Sequence, residues 1–222
     1  MSLSHTNKFI DFAILLNGDI RVTNRLLCAI ESCKVIAADG GICHASQLKV
    51  VPELWIGDFD SVDRTLLQQW SSIKRIFYPN DKDMADGEIA VHKALQSGAR
   101  NIILVGSISG QRFDYALQHI TLATSLKKKN INVTLTSGIE EVFILVPGKH
   151  SFDLPENSVF SIVCLEDIEN ITITGAKYTL SHHSLSLGSS RAVSNVVTKN
   201  LTIMLDQGLA ILISRPYDLQ RF

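Results

Sequence analysis

Through the first 139 residues, short unbroken apolar runs alternate with segments whose apolar residues recur at helical spacing. "DFAILLNG" is an apolar run of strand length that ends on Asn17-Gly18, as a strand buried on both faces would end. "VTNRLLCAIESC" places Val22, Leu26, Leu27 and Ile30 on one helical face. "KVIAADGG" predicts a second strand, "GICHASQLKV" a short helix, and "ELWIGDFDS" a third strand. Ser61 is expected to cap the helix "VDRTLLQQW", whose apolar face is Leu66, Leu67 and Trp70, with Asp63 as a first-turn residue of no further role. "IKRIFYPND" reads as a fourth strand stopped by proline. Asp83 or Asp86 then opens a helix that runs through Leu95 and ends near Gly98. "NIILVGS" is a fifth strand. The helix "RFDYALQHITLATSLKKK" is expected to turn Phe113, Leu117, Ile120 and Ala123 inward, with Lys127–Lys129 solvated at its end. "NVTLTS" closes the series.

This alternation predicts an α/β domain over residues 1–139: an open, mostly parallel sheet with helices on both faces. From Glu141 the rhythm changes to closely spaced strand-length runs separated by Gly, Pro or Asn, with no helical spacing. Residues 140–222 therefore predict a small all-β sandwich or barrel. A unit of that size is marginal alone and is expected to lean on the first domain or on a partner subunit.

The polar clusters fall where strands end: Asn17-Gly18, Asp39-Gly40-Gly41, Asp58–Ser61, Pro79–Asp86 and Gly106–Asp114. In open parallel sheets, ligands bind at the carboxyl ends of the strands, so clusters distant in sequence meet at one edge. Between residues 39 and 86 stand Asp39, Asp58, Asp60, Asp63, Asp81, Asp83 and Asp86. Close carboxylates resist joint ionisation, and a divalent cation removes the conflict. Oxygen donors without neighbouring His or Cys select a hard ion, of which Mg²⁺ is the common one, shared with substrate phosphates. In "WIGDFDS" a strand running through Asp60 would set Asp58 and Asp60 on one side and Phe59 toward the interior. Taken singly, each of these aspartates also suits a turn or a helix cap.

Lys82 and Arg112 are the cations in these clusters. Gly106 and Gly110 would let backbone N–H groups approach an anion at a helix start, where Arg112 could clamp a phosphate. Neither phosphate-loop pattern, G-x-x-x-x-G-K-[ST] or G-x-G-x-x-G, occurs, and no Ser-His-Asp or Cys-His arrangement is evident. His182 and His183, as neighbours in a strand, would point to opposite faces and so make a poor metal pair.

The formal net charge of -1 argues against a nucleic-acid surface built on bulk positive charge. Cys28, Cys33, Cys43 and Cys164 form no C-x-x-C pair, and with no signal-peptide pattern and no bilayer-length apolar run the expectation is a cytoplasmic protein with reduced thiols, off the membrane.

"AADGG" at 37–41, "PELWIGDFDS" at 52–61, "DKDMAD" at 81–86, "GQRFD" at 110–114 and "SN" at 194–195 together resemble, in order and approximate spacing, the motifs of the thiamine pyrophosphokinase family. The resemblance spans nearly the whole chain. It implies an N-terminal α/β nucleotide domain, a C-terminal all-β domain and a homodimer with active sites between subunits. It further implies Mg²⁺-dependent transfer of the pyrophosphoryl group of ATP to thiamine, giving thiamine diphosphate and AMP. Carried over residue by residue, Asp39, Asp58, Asp60 and Asp86 resemble the Mg²⁺ carboxylates. Lys82, Arg112 and Asp114 resemble residues around the ATP phosphates and the reacting centre, with Asp81, Asp83, Gly40 and Gly110 beside the nucleotide. Ser194 and Asn195 resemble thiamine contacts, and Asp86 or Asp114 would accept the hydroxyl proton. The chain departs from the family pattern at Ala85, Gln111, Tyr115 and Val196. Two other readings use the same residues: a different Mg²⁺-dependent phosphotransferase or phosphohydrolase, and a non-catalytic thiamine- or nucleotide-binding module.

Overall fold

A computed structural model describes residues 10–60, 62–79 and 83–219. Six parallel strands build its first half: β1 (Ile10–Leu15), β2 (Lys34–Ala38), β3 (Leu54–Gly57), β4 (Arg75–Phe77), β5 (Ala99–Val105) and β6 (Asn132–Thr136). Their spatial order is β6-β5-β1-β2-β3-β4. The chain starts in the middle, steps outward to β4, then returns to the other side of β1. Loops leaving β1 and β5 therefore diverge, and a crevice opens between them.

The strands are apolar on both faces because each face is covered. Along β1, Phe12 and Ile14 face one core with α4 (Asp86–Gln96) and α5 (Phe113–Lys127). Ala13 and Leu15 face a second core with α1 (Asn24–Ile30), α2 (Ala45–Leu48) and α3 (Arg64–Gln69). The two-residue period of one strand thus serves two helical layers. Between β2 and α2, Asp39–His44 form a 3₁₀ turn, so the short helix expected there is split in two.

Local chemistry explains most helix ends. Thr23 caps α1, its Oγ1 accepting from Leu26 N at 3.2 Å, and Leu26 and Ile30 are buried as expected. The cap of α3 is Asp63, whose carboxylate accepts from Thr65 N at 2.8 Å, which corrects the reading of Asp63 as a residue without a role. The expected cap Ser61 lies outside the described residues. Helix α4 starts at Asp86 and ends at Gln96, with Gly98 left-handed just beyond.

Half of the inward face expected for α5 is found, since Ala123 is buried and Ile120 packs against the same core, but Phe113 and Leu117 are not on it. His119, Ala123 and Leu126 are buried, whereas Phe113 is 78% and Leu117 49% exposed. The helix turns the 119-123-126 stripe to the sheet, where small Ala123 allows close approach, and this leaves Phe113 and Leu117 on the far side. At its C-terminal end Lys127 donates to Asn132 Oδ1 at 2.7 Å and Lys128 lies 3.7 Å from Glu166, so two of the three lysines have partners.

After α5 only strands follow among the described residues: β7 (Glu141–Leu145), β8 (Gly148–Phe152), β9 (Ser158–Cys164), β10 (Ile168–Ala176), β11 (Leu180–Leu185), β12 (Asn195–Leu205) and β13 (Ala210–Leu219). Strand β7 pairs antiparallel with β6 on one edge and with β13 on the other, so the parallel sheet runs into the antiparallel one. Val142 and Ile144 of β7 join the core of α4 and α5, while Phe143 and Leu145 face the sandwich core. That core holds Phe160, Ile162, Ile171, Ile173, Leu201 and Ile203. Long β12 turns the corner, pairing with β9 at Asn195 and Val196 and with β8 and β10 farther along. Arg25 ties the two halves by donating two hydrogen bonds to Glu141, Nε to Oε1 at 2.6 Å and Nη2 to Oε2 at 3.0 Å.

Candidate active site

A cleft of about 630 Å³ opens at the carboxyl edge of the parallel sheet, at the divergence between β1 and β5. Its walls are the loop Leu16–Gly18 after β1, Asp39 after β2, the approach to α4 at 83–87, and the loop from Gly106 to Arg112 that leads into α5. The loops after β1 and β5 are laced together. Leu16 N donates to Val105 O at 2.8 Å, Gly18 N to Gly106 O at 3.1 Å, and Ser109 Oγ to Asp19 O. Gly106 makes this approach possible. Its φ is +74°, and a Cβ there would lie 2.7 Å from Leu16 O and 2.8 Å from Gly18 O.

His44, in the 3₁₀ turn, holds the same loop from behind. The Gln47 amide nitrogen lies 2.9 Å from Nδ1, which fixes Nδ1 as the acceptor, so Nε2 carries the proton and donates to Gly18 O at 2.9 Å. Burial lowers the His44 pKa, which keeps the ring neutral.

Asp39 stands in the cleft on a backbone with φ +44°, a left-handed conformation uncommon for a residue with a side chain. Its carbonyl accepts the Trp55 indole N–H at 2.9 Å, and Trp55 is completely buried, so a rigid core residue holds Asp39 in place. Gly57 leaves room for it: a Cβ at Gly57 would lie 3.3 Å from Asp39 Oδ1.

Asp58 and Asp60 do not share one side of a strand. Strand β3 ends at Gly57, and Phe59 takes φ +62°. The strand expected through Asp60 is therefore corrected to a turn, closed by Asp60 N donating to Asp58 Oδ1 at 2.9 Å. The driving contact is Phe59 itself, which packs edge-on against Trp55 at 5.0 Å and so turns to the interior as expected. Neither carboxylate is in the lining of the cleft.

At the start of α5, Arg112 and Asp114 form a fork, Nε–Oδ1 at 2.9 Å and Nη2–Oδ2 at 2.6 Å, and the guanidinium lies 4.5 Å from the Tyr115 ring centroid. The hydrogen bonds from Arg112 hold the Asp114 carboxyl down at about 2. Arg112 lines the cleft together with Gly110, Asp83 and Asp86; Asp114 does not. Gly40 sits just behind, where a Cβ would strike the Asn17 side chain at 2.6 Å. Asp81 and Lys82 lie outside the described residues. No group of three His, Cys, Asp or Glu side chains at metal-holding distance occurs among the described residues.

A family model described as thiamin pyrophosphokinase, catalytic domain, matches residues 28–135, and one described as thiamin pyrophosphokinase, vitamin B1 binding domain, matches residues 149–210. The chain belongs to the thiamine pyrophosphokinase family. A thiamine pyrophosphokinase of Bacillus subtilis (strain 168) is 29% identical over 184 residues, covering 80% of this chain and 85% of its own. Among solved structures, a Bacillus subtilis thiamine pyrophosphokinase superposes with a TM-score of 0.82 at 24% identity, covering 93% of this chain and 99% of its own. One from Candida albicans superposes at 0.75 with 15% identity, covering 92% and 90%. These likenesses carry the fold.

Within this family framework, the catalytic-domain match contains the cleft residues Asp39, Asp86 and Arg112, and the vitamin B1 match contains Ser194 and Asn195. Ser194 is exposed with φ +57°, held by its N–H to Ser161 Oγ at 3.0 Å. Asn195 is buried, and its side chain works internally: Oδ1 accepts from Tyr178 N and Val196 N, and Nδ2 donates to Tyr178 O at 2.7 Å. Neither residue lines the cleft. His182 bonds Asn170 at 2.6 Å and His183 bonds Ser181 O at 2.9 Å, each a local contact.

Of the cleft-wall residues that sequence reading passed over, Ser107, Ser109 and His119 among them, His119 is buried and titratable. The signal was present: at helical spacing from Ala116 and Ala123, a lone histidine interrupts an otherwise apolar stripe immediately after a glycine-rich loop.

Proposed function

We propose that this chain carries out the reaction of its family, pyrophosphoryl transfer from ATP to thiamine, in the cleft between β1 and β5. The observation that carries the reading is that Asp39, Asp86 and Arg112, which come from three separate motifs, line one cleft inside the region matched by the catalytic-domain model. In this reading the thiamine hydroxyl oxygen bonds to the β-phosphorus of ATP, the bond from that phosphorus to the α–β bridging oxygen breaks, and AMP leaves with that oxygen. The hydroxyl proton passes to a carboxylate.

Of the two candidates for that carboxylate, Asp86 lines the cleft. Asp114 lies outside its lining and is held strongly acidic by Arg112. Asp86 is the better placed acceptor. Arg112 has five N–H donors and shows two of them to Asp114, so further donors can meet phosphate oxygens while the fork fixes the plane of the guanidinium. Gly110 lines the cleft, and the start of α5 would add backbone N–H groups for the same anion.

The residues fit Mg²⁺. The donors are carboxylate oxygens, and this ion typically takes one or two protein carboxylates and completes its shell with water and substrate phosphates, so a cage of three is not required. Asp39 and Asp86 would hold it from the cleft wall, with Asp58 and Asp60 supporting from the turn after β3. Bound there, it would neutralise triphosphate charge. Asp81, Asp83, Lys82, Gly40 and Gly110 are assigned to the nucleotide, and Ser194 and Asn195 to thiamine. Because Ser194 and Asn195 stand apart from the cleft lining, the reading includes a homodimer in which one subunit's sandwich completes the other's site, over domains 1–139 and 140–222. No helix among the described residues is long and apolar enough to cross a membrane, which agrees with a cytoplasmic enzyme.

The test is product identification after incubation with ATP, Mg²⁺ and thiamine. Thiamine diphosphate with AMP is expected. ADP or free phosphate would replace this reading with another phosphotransferase or hydrolase, and thiamine binding without turnover would replace it with a binding module.

A further inference from the structure

His119 is a buried side chain, 7% exposed, in the wall of the cleft. Its Nδ1 lies 2.9 Å from Ser107 O. A carbonyl oxygen only accepts, so Nδ1 carries the proton, and in the neutral ring Nε2 is left as a lone-pair acceptor. Burial lowers its pKa, which favours that neutral ring. Nε2 takes no hydrogen bond from any described residue. Gly87 keeps the space beside it open, since a Cβ there would lie 3.5 Å from Nε2 and 2.8 Å from Leu16 Cδ2. Beside it the cleft is lined by Leu16, Ala38, Met84 and Ala116, by the Tyr115 ring, and by Ser107, whose hydroxyl already donates to Leu104 O.

The two regions of the cleft thus differ in chemistry. The Arg112 region offers N–H donors. The His119 region offers hydrocarbon, the Tyr115 ring and the Nε2 acceptor. Phosphate oxygens are acceptors without a proton to give, so a lone pair facing them is repulsive, whereas the uncharged part of a nucleotide carries donors on its sugar hydroxyls and its base amine. An acceptor that a bound ligand covers and leaves unmatched is costly, and such a site discriminates strongly against an analogue that lacks the donor.

We infer that His119 is a specificity-determining residue of the nucleotide site, whose Nε2 accepts a hydrogen bond from an N–H or O–H of the nucleoside part of ATP and so directs the phosphates toward Arg112. This rests on the reading of the cleft as the ATP site. Tyr115, whose ring lies 6.3 Å from that of His119 at 25°, steadies the imidazole from the same helix.

The experiment measures Mg²⁺-nucleotide affinity by calorimetry without thiamine, so that it does not depend on turnover. The ligands are ATP, 2′-deoxyATP, 3′-deoxyATP and ITP. In the unsubstituted protein one analogue is expected to bind about tenfold more weakly than ATP; a deoxy analogue assigns the donor to the sugar, and ITP to the base amine. In His119→Phe, ATP is expected to weaken by a similar factor, and the analogue in question is expected to bind as well as ATP. His119→Gln, which keeps an acceptor oxygen, is expected to retain discrimination. Equal affinity for all four ligands in the unsubstituted protein would overturn the inference without any variant. So would undiminished discrimination in a folded His119→Phe protein. A protein that binds no ATP overturns the site reading as well; one that binds ATP and fails either criterion overturns this inference alone.

Discussion

Arg112 and Asp114, two residues apart, grip each other through two parallel hydrogen bonds at 2.9 and 2.6 Å, and only Arg112 lines the cleft. Both partners are well exposed, so solvent screens the pair and its worth lies in orientation more than in stability. The fork geometry is specific to a guanidinium. Arg112→Lys is therefore expected to lower kcat/KM for ATP about tenfold or more, because an ammonium cannot grip a carboxylate and present a flat donor edge at once. Steady-state kinetics with varied ATP measure this, and wild-type values in the Lys variant would remove Arg112 from the phosphate site.

The turn after β3 lets the metal role proposed for Asp58 be tested apart from its part in the fold. Asp58 Oδ1 accepts the Asp60 N–H, and an asparagine oxygen accepts equally well. Asp58→Asn is thus expected to keep the turn, and with it the melting temperature, while losing most Mg²⁺-dependent turnover. Asp58→Ala is expected to lose both. A Mg²⁺ titration of activity beside a thermal melt distinguishes them, and full activity in Asp58→Asn would confine Asp58 to the turn.

Two buried histidines set a pH dependence of stability. Burial lowers the pKa of both His44 and His119 from 6.5. In the unfolded chain both take up a proton as pH falls through 6.5, while the folded rings stay neutral until lower pH. The unfolded state then binds more protons, so stability drops as pH falls below about 6.5 and levels off beneath the folded values. Denaturant melts from pH 7.5 to 5 are expected to show this decline, and His119→Gln is expected to make it shallower. A flat profile over that range would mean that folding leaves the imidazole pKa values unshifted.

The sequence carried the fold because the strands and helices are bounded by local chemistry: apolar runs buried on both faces, the Thr23 cap and Gly98 after α4. The cleft was legible as the shared carboxyl edge of the parallel strands. Three features were not. The phase of α5 depends on which side meets the sheet, and Phe113 and Leu117 are as apolar as the residues that do. The turn at Asp58 depends on Phe59 reaching Trp55 through a left-handed backbone, which no alternation pattern encodes. The tautomer of His119 depends on Ser107 O, brought beside it only when α5 packs on the sheet next to the loop that follows β5.

A pair of glycine substitutions isolates the close approach of the two cleft loops. Gly106 and Gly98 both have positive φ, +74° and +88°, so alanine strains the backbone similarly at either place, by about 1–2 kcal/mol. Their surroundings differ. A Cβ at Gly98 meets nothing within 4 Å, whereas one at Gly106 would lie 2.7 Å from Leu16 O and 2.8 Å from Gly18 O. Backbone atoms cannot rotate aside, so the loops after β1 and β5 would have to part and the Gly18–Gly106 bond at 3.1 Å would open. Gly98→Ala is therefore expected to cost stability while leaving ATP affinity intact. Gly106→Ala is expected to cost more stability and to weaken ATP binding by about tenfold or more, as the bond is lost and the two loops that wall the cleft move apart. Thermal melts and nucleotide calorimetry on the two variants read both effects. Equal ATP affinity in the two would show that the loops tolerate separation and that their contact does not shape the site.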